Sequence, residues 1–135
     1  MCARLALLLG LAGAACAQTP RVAAIAHRGE HLRHPENTIP AYRAAVEAGA
    51  DFIEVDVRTT ADGQLVIMHN DTVDARTNGS GAVKDMTLAQ FRALDAGVKS
   101  GPQFTGTKAP TFGCGAGVCP RQNRRIRGYK ARLRR

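Results

Sequence analysis

The sequence predicts an α/β fold built around a parallel strand–helix–strand unit. Two apolar runs, "RVAAIAHRG" and "DFIEVDVRTT", carry the length and composition of buried strands. Between them, Ile39, Tyr42, Ala45, Val46 and Gly49 recur at helical spacing. Short connections between such elements favour strands lying side by side in parallel.

In chain order, the first run is a short buried strand that enters a turn at Gly29. "EHLRHPENT" is polar and interrupted by Pro35, and reads as a loop. "IPAYRAAVEAGA" reads as a helix with Asn37 or Thr38 at its N-cap, Pro40 in its first turn and Gly49 closing its end. After the second strand, "ADGQ" is a turn and "LVIMH" a third apolar strand. "NDTVDARTNGSG" is a loop, and "TLAQFRALDAG" a helix capped by Thr87 and stopped at Gly97.

The flanks differ from this middle. The first twenty residues, "MCARLALLLGLAGAACAQTP", have a short positive start at Arg4, an apolar run and the small-x-small "ACA" that a signal peptidase reads. Residues 1–17 are therefore expected to be a cleaved export signal, placing the mature protein in the periplasm or outside the cell. The alternative is a lipid anchor at Cys16, against which Gly13 stands where a branched apolar residue is usual. The apolar run is short for a membrane span, so none is expected in the mature chain.

The formal charge of +8 is not spread along the chain. Residues 113–135 hold eight basic residues and no acid, which leaves eleven basic and eleven acidic residues elsewhere. The cysteines divide similarly: Cys2 and Cys16 lie in the export segment, Cys114 and Cys119 in the basic tail. The latter pair suits a small disulfide loop better than zinc, since no second ligand pair accompanies it. A tail binding nucleic acid or an anionic membrane is the second reading of this chain. Only Tyr129 within it and Phe112 just before it are available to stack on bases, and charge runs are usually solvated, so nucleic acid is not the expected partner.

The chemistry-bearing residues gather at the strand ends. His27 and Arg28 end the first strand, Glu54 and Asp56 lie late in the second, and His69 ends the third. Two residues apart on a strand, Glu54 and Asp56 point from one sheet face. Converging carboxylates repel unless a cation or a shared proton compensates, and a hard divalent ion is the simplest compensation. Taken singly, each has a plainer reading. A lone histidine is more often structural, Arg28 suits a simple ion pair, and carboxylates on a sheet with one wet face need no ligand. Their joint arrival at three neighbouring strand ends is what favours a site.

"HRG" (His27 to Gly29), "PENT" (Pro35 to Thr38), "GADFIEVDVRTTADGQLVIMH" and "TNGSG", in this order, closely resemble the glycerophosphodiester phosphodiesterase family. The resemblance covers Ala24 to Phe112, so residues 18–112 are expected to be a partial domain of that family and 113–135 a basic, unstructured tail outside it. It implies the N-terminal part of a (β/α)8 barrel, left incomplete, and a divalent metal, Ca2+ or Mg2+. It also implies hydrolysis of small glycerophosphodiesters to sn-glycerol 3-phosphate and an alcohol. By motif, His27 and His69 resemble the acid/base pair, Glu54 and Asp56 metal ligands, and Arg28 the residue that neutralises the phosphoryl oxygens. Glu36 and Asn37 resemble residues that organise the loop around the site. In the family mechanism one histidine activates the glycerol 2-hydroxyl for attack on phosphorus, the other protonates the leaving alcohol, and water opens the cyclic phosphate.

Two departures stand out. Ala75 and Arg76 occupy positions where the family pattern reads Arg then Thr, a local change in the loop, and Arg76→Ala is not expected to abolish activity as His27→Ala and His69→Ala are. From Gly113 onward, "GCGAGVCPRQNRRIRGYKARLRR" has no apolar periodicity and no acid, and resembles a frame-shifted or prematurely ended reading. A barrel of this kind takes about 200 residues or more, so Ala17 to Phe112 would supply about three strands. The expectation is a chain with the first site residues but without a third acidic ligand, and with little activity of its own.

Overall fold

The structure is a computed structural model that describes residues 22–113 and 128–133. The export signal over 1–17, the anchor at Cys16 and the pairing of Cys114 with Cys119 lie outside the described residues. Elements run β1 (Ile25–His27), α1 (Ile39–Glu47), β2 (Phe52–Thr59), β3 (Leu65–Ile67), α2 (Leu88–Ala93) and β4 (Gly128–Leu133). Single 3-10 turns at Val83–Asp85 and Pro102–Phe104 flank α2.

The β1–α1–β2 unit is the parallel strand–helix–strand the sequence predicts. β1 pairs parallel with β2, His27 opposite Glu54. Helix α1 buries Ala41, Tyr42 and Ala45, the last two in one cluster with Ile53, Val55 and Val57, the alternate residues of β2. Its N-cap is Thr38, but the hydroxyl donates back to Pro35 O at 2.5 Å rather than capping the helix. Gly49, at φ 86°, closes the other end with its N–H on Val46 O. β1 itself is not the buried strand the sequence predicts: Ile25 and His27 are exposed, because β2 covers one edge and no described element covers its outward faces.

The third strand departs further. β3 is antiparallel to β2, with Val57 opposite Ile67 and Thr59 opposite Leu65, and it stops two residues before His69. The cause is the connection. Thr60 N–H donates to Gln64 O across a turn closed by Gly63, and so tight a link makes a hairpin, whereas a parallel neighbour needs a longer crossover. The hairpin separates two cores. Ile67 joins the α1 cluster, while Val66 faces the other way into a second cluster with Met68, Val73, Val83, Phe91, Ala96 and Ala109.

Helix α2 begins as expected with a full capping box, in which Thr87 accepts from Gln90 N–H and Gln90 Oε1 accepts from Thr87 N–H. It ends at Ala93 rather than Gly97. Asp95 draws the chain off the helical path, its carboxylate accepting from Gly97, Val98 and Gly106 N–H at 2.7–3.1 Å. Within the basic tail, where the sequence shows no regular element, Gly128–Leu133 pairs parallel with β2 from Phe52 to Val57.

Candidate active site

The candidate site starts where the chain leaves β1. Arg28 and Asn37 are the non-glycine residues at positive φ among those described, at 56° and 57°. In that left-handed conformation Arg28 turns its N–H onto β2, 3.1 Å from Glu54 O and 3.3 Å from Glu54 Oε2. Asn37 then donates its own N–H to Arg28 O at 3.0 Å, locking the two loops together. Backbone of this kind costs of order 1–3 kcal/mol at each residue and persists where surroundings enforce it, commonly at binding sites. Gly29 follows at φ 84°, and a Cβ there would stand 2.8 Å from the Ala41 carbonyl carbon. Only glycine lets the "HRG" turn lie on α1.

These loops deliver side chains onto Asp56, which is fully buried on β2. Asn37 Nδ2 donates to Asp56 Oδ2 at 3.1 Å, and Asn37 Oδ1 accepts from the equally buried Tyr42 hydroxyl at 3.2 Å. Arg28 Nε lies 3.2 Å from the same Asp56 oxygen, close enough for an ion pair though not aligned as a hydrogen bond. Its Nη1 reaches both oxygens of Glu36, at 3.2 and 3.3 Å. Arg28 therefore bridges two nearly buried carboxylates, and the charge of Asp56 is met inside the protein as burial requires.

His27 and His69 reach this cluster differently. His27 is exposed at the end of β1 beside Glu54, its ring edge-on to His31 at 5.5 Å. His69 returns along β2 because the Met68 N–H donates to Asp56 O at 3.0 Å. Its Nδ1 stands 2.7 Å from Asn70 Oδ1, and its carbonyl accepts from Arg58 Nη2 at 2.6 Å. His69, Glu36, Asn37 and Arg76 wall one small pocket of about 10 Å³, room for roughly a single water. His27 is not part of that wall.

Residues 27–119 match the model of the Glycerophosphoryl diester phosphodiesterase family. The chain belongs to this family. A glycerophosphodiester phosphodiesterase of Caldanaerobacter subterraneus is 54% identical over 88 residues, which are 65% of this chain and 36% of that protein. One of Bacillus subtilis is 46% identical over 100 residues, covering 68% of this chain and 34% of the relative. The chain thus spans about a third of the length of these curated relatives. Among solved structures, the glycerophosphodiester phosphodiesterase of Agrobacterium tumefaciens superposes with a TM-score of 0.75 at 34% identity, over 84% of this chain and 47% of its own. A phosphodiesterase of Oleispira antarctica, solved with the product sn-glycerol-3-phosphate, also gives 0.75, at 31% identity over 84% of this chain and 44% of its own. The fold is that of a glycerophosphodiester phosphodiesterase (β/α)8 barrel, of which this chain carries a part.

Set within this family, the donor set matches a divalent ion in kind and falls short in number. Glu54 and Asp56 offer the hard oxygens that Ca2+ or Mg2+ takes. Among the described residues, however, no three His, Cys, Asp or Glu side chains gather closely enough to hold a metal. Asp56 is moreover engaged by Arg28 and Asn37. The two carboxylates are at most part of a metal site.

One residue of the cluster around Glu36 escaped the sequence reading. Arg76 Nη2 lies 3.3 Å from Glu36 Oε2, the oxygen that Arg28 also holds. Forty residues separate Arg76 from Glu36, and no periodicity links them. The signal was the displaced arginine itself, one position later than in the family pattern.

Proposed function

We propose that this chain carries the first part of the active centre of an enzyme that hydrolyses glycerophosphodiesters to sn-glycerol 3-phosphate and an alcohol. The observation that carries the reading is the buried grip of Arg28 between Asp56 and Glu36, with His69 on the same pocket and His27 beside Glu54. A phosphodiester is anionic and repels nucleophiles, so cationic and hydrogen-bonding groups fixed in advance lower its barrier. Imidazole takes and returns a proton near neutral pH. One histidine accepts the proton of the glycerol 2-hydroxyl as its oxygen bonds to phosphorus. The other donates a proton to the departing alcohol oxygen as the phosphorus–oxygen bond breaks. Water then adds to phosphorus and opens the cyclic ester.

A divalent ion, when bound, would offset phosphoryl charge, and Glu54 and Asp56 would be two of its ligands. A further carboxylate is needed from outside the described residues, so the 135-residue chain alone should hydrolyse little. On the evidence of residues 1–17, the same proposal locates the protein in the periplasm or beyond.

Titration of the purified chain with sn-glycerol 3-phosphate, followed by NMR, tests the reading. Saturable binding that weakens at least tenfold in Arg28→Ala is expected. A folded chain that binds no phosphate ester would contradict it.

A further inference from the structure

We propose that Arg76 is a second phosphate-binding residue of this site, and the more available of its two arginines. The inference rests on the functional reading above and assigns a role to a residue that the family pattern does not place there.

The loop holds Arg76 firmly at its backbone. Val73 and Thr77 on either side are fully buried, and the N–H groups of Arg76 and Thr77 both donate to Val73 O, at 3.2 and 3.0 Å. The Thr77 hydroxyl donates to that carbonyl as well, at 2.9 Å, while Val73 N–H is fixed on Gly81 O at 3.0 Å. From this anchored turn the guanidinium reaches Glu36 at 3.3 Å and borders the pocket that His69 lines.

The two arginines differ in what they have left to give. The Arg28 side chain is 15% exposed, with Nε against Asp56 and Nη1 spread over both Glu36 oxygens. The Arg76 side chain is 51% exposed and meets Glu36 through Nη2. A guanidinium carries five N–H donors in a planar fork that matches phosphate. Glu36 engages one end of that fork, and half of the side chain is open to solvent at the edge of the pocket. A phosphodiester has two non-bridging oxygens, so Arg76 takes one of them from the solvent side.

The charge of the cluster agrees with this role. Arg28 stands between Asp56 and Glu36 with the Glu54 carboxylate at its N–H, whereas Arg76 meets Glu36, so Arg76 keeps the less compensated charge. An arriving anion meets its least satisfied cation at Arg76.

The test is the titration of the 135-residue chain with sn-glycerol 3-phosphate, and with inorganic phosphate as a second probe, reading the guanidinium N–H resonances of Arg76. These resonances should shift on saturation. Arg76→Ala should raise Kd about tenfold and Arg76→Lys, which keeps the charge but loses the fork, by a few fold. Arg92→Ala, on exposed α2 surface, should leave Kd unchanged. The Lys variant also serves if the Ala variant fails to fold. Unmoved Arg76 resonances, or a Kd within twofold of wild type in both Arg76 variants while Arg28→Ala still loses binding, would overturn the inference and leave the functional reading standing. No binding by the wild-type chain would overturn both.

Discussion

Asp56 shows how much of this site rests on one side chain. It is fully buried, and Arg28 and Asn37 both converge on its Oδ2. Asp56→Ala would leave the Arg28 guanidinium largely buried beside an empty space and Asn37 Nδ2 without its acceptor. Losing one partner of such a pair costs on the order of 3 kcal/mol, which urea unfolding of the variant should register. A loss under about 0.5 kcal/mol would mean that Arg28 repartners freely and that the buried grip is not what orders the loops. That Glu54 and Asp56 share one face of a strand was legible because strand periodicity is two, and both lie on β2. The partners of Asp56 were not, since Asn37 and Arg28 arrive through left-handed backbone that no local pattern announces.

At the scale of elements, the strand–helix–strand unit was legible from apolar spacing, and the capping box of α2 from Thr87 and Gln90. Thr87→Ala should cost about 1 kcal/mol, measured in the same unfolding experiment. The direction of β3 and the early end of α2 were hidden because side chains in turns decide them. Asp95 is the clearest case. The N–H of Gly106, then that of Gly97, holds its carboxyl below the usual carboxylate value, outweighing the small opposing effect of burial. A depressed folded value means that the ion's contribution is fully present above the unfolded value, about 3.9, and is lost as pH falls through the lower, folded one. Amide exchange at Gly97 and Gly106 should therefore accelerate as pH drops below about 4 relative to Asp95→Asn, whose amide does not titrate. Parallel behaviour of the two proteins would show that Asp95 does not hold the loop. Gly97 tolerates nothing larger, because an added Cβ would come within 1.9 Å of Phe104 O. Gly97→Ala should lower Tm by several degrees, and an unchanged Tm would show that this segment yields.

For the molecule as a whole, the sequence resemblance reached the family and the barrel class, because both depend on ordered motifs rather than on any one contact. It did not reach Arg76, whose contact with Glu36 exists only once β3 has folded back as a hairpin. Nor did it anticipate β4, whose six-residue parallel pairing with β2 joins main chains and leaves no apolar pattern to read. No helix among the described residues is long and apolar enough to cross a membrane. The whole-molecule prediction is that the 135-residue chain releases little sn-glycerol 3-phosphate from glycerophosphocholine, for want of a third acidic ligand among the described residues. A normal enzymatic rate from this chain would show that its catalytic centre needs no further carboxylate.

We propose that these residues form part of a working phosphodiesterase centre. This is tested most directly by grafting residues 27–113 into the Caldanaerobacter relative in place of the matched segment, at 54% identity. Release of sn-glycerol 3-phosphate from glycerophosphocholine is then measured with and without a chelator. Chelator-sensitive hydrolysis that falls at least a hundredfold in both His27→Ala and His69→Ala is expected. A folded chimera without activity, or one whose activity survives both substitutions, would contradict it.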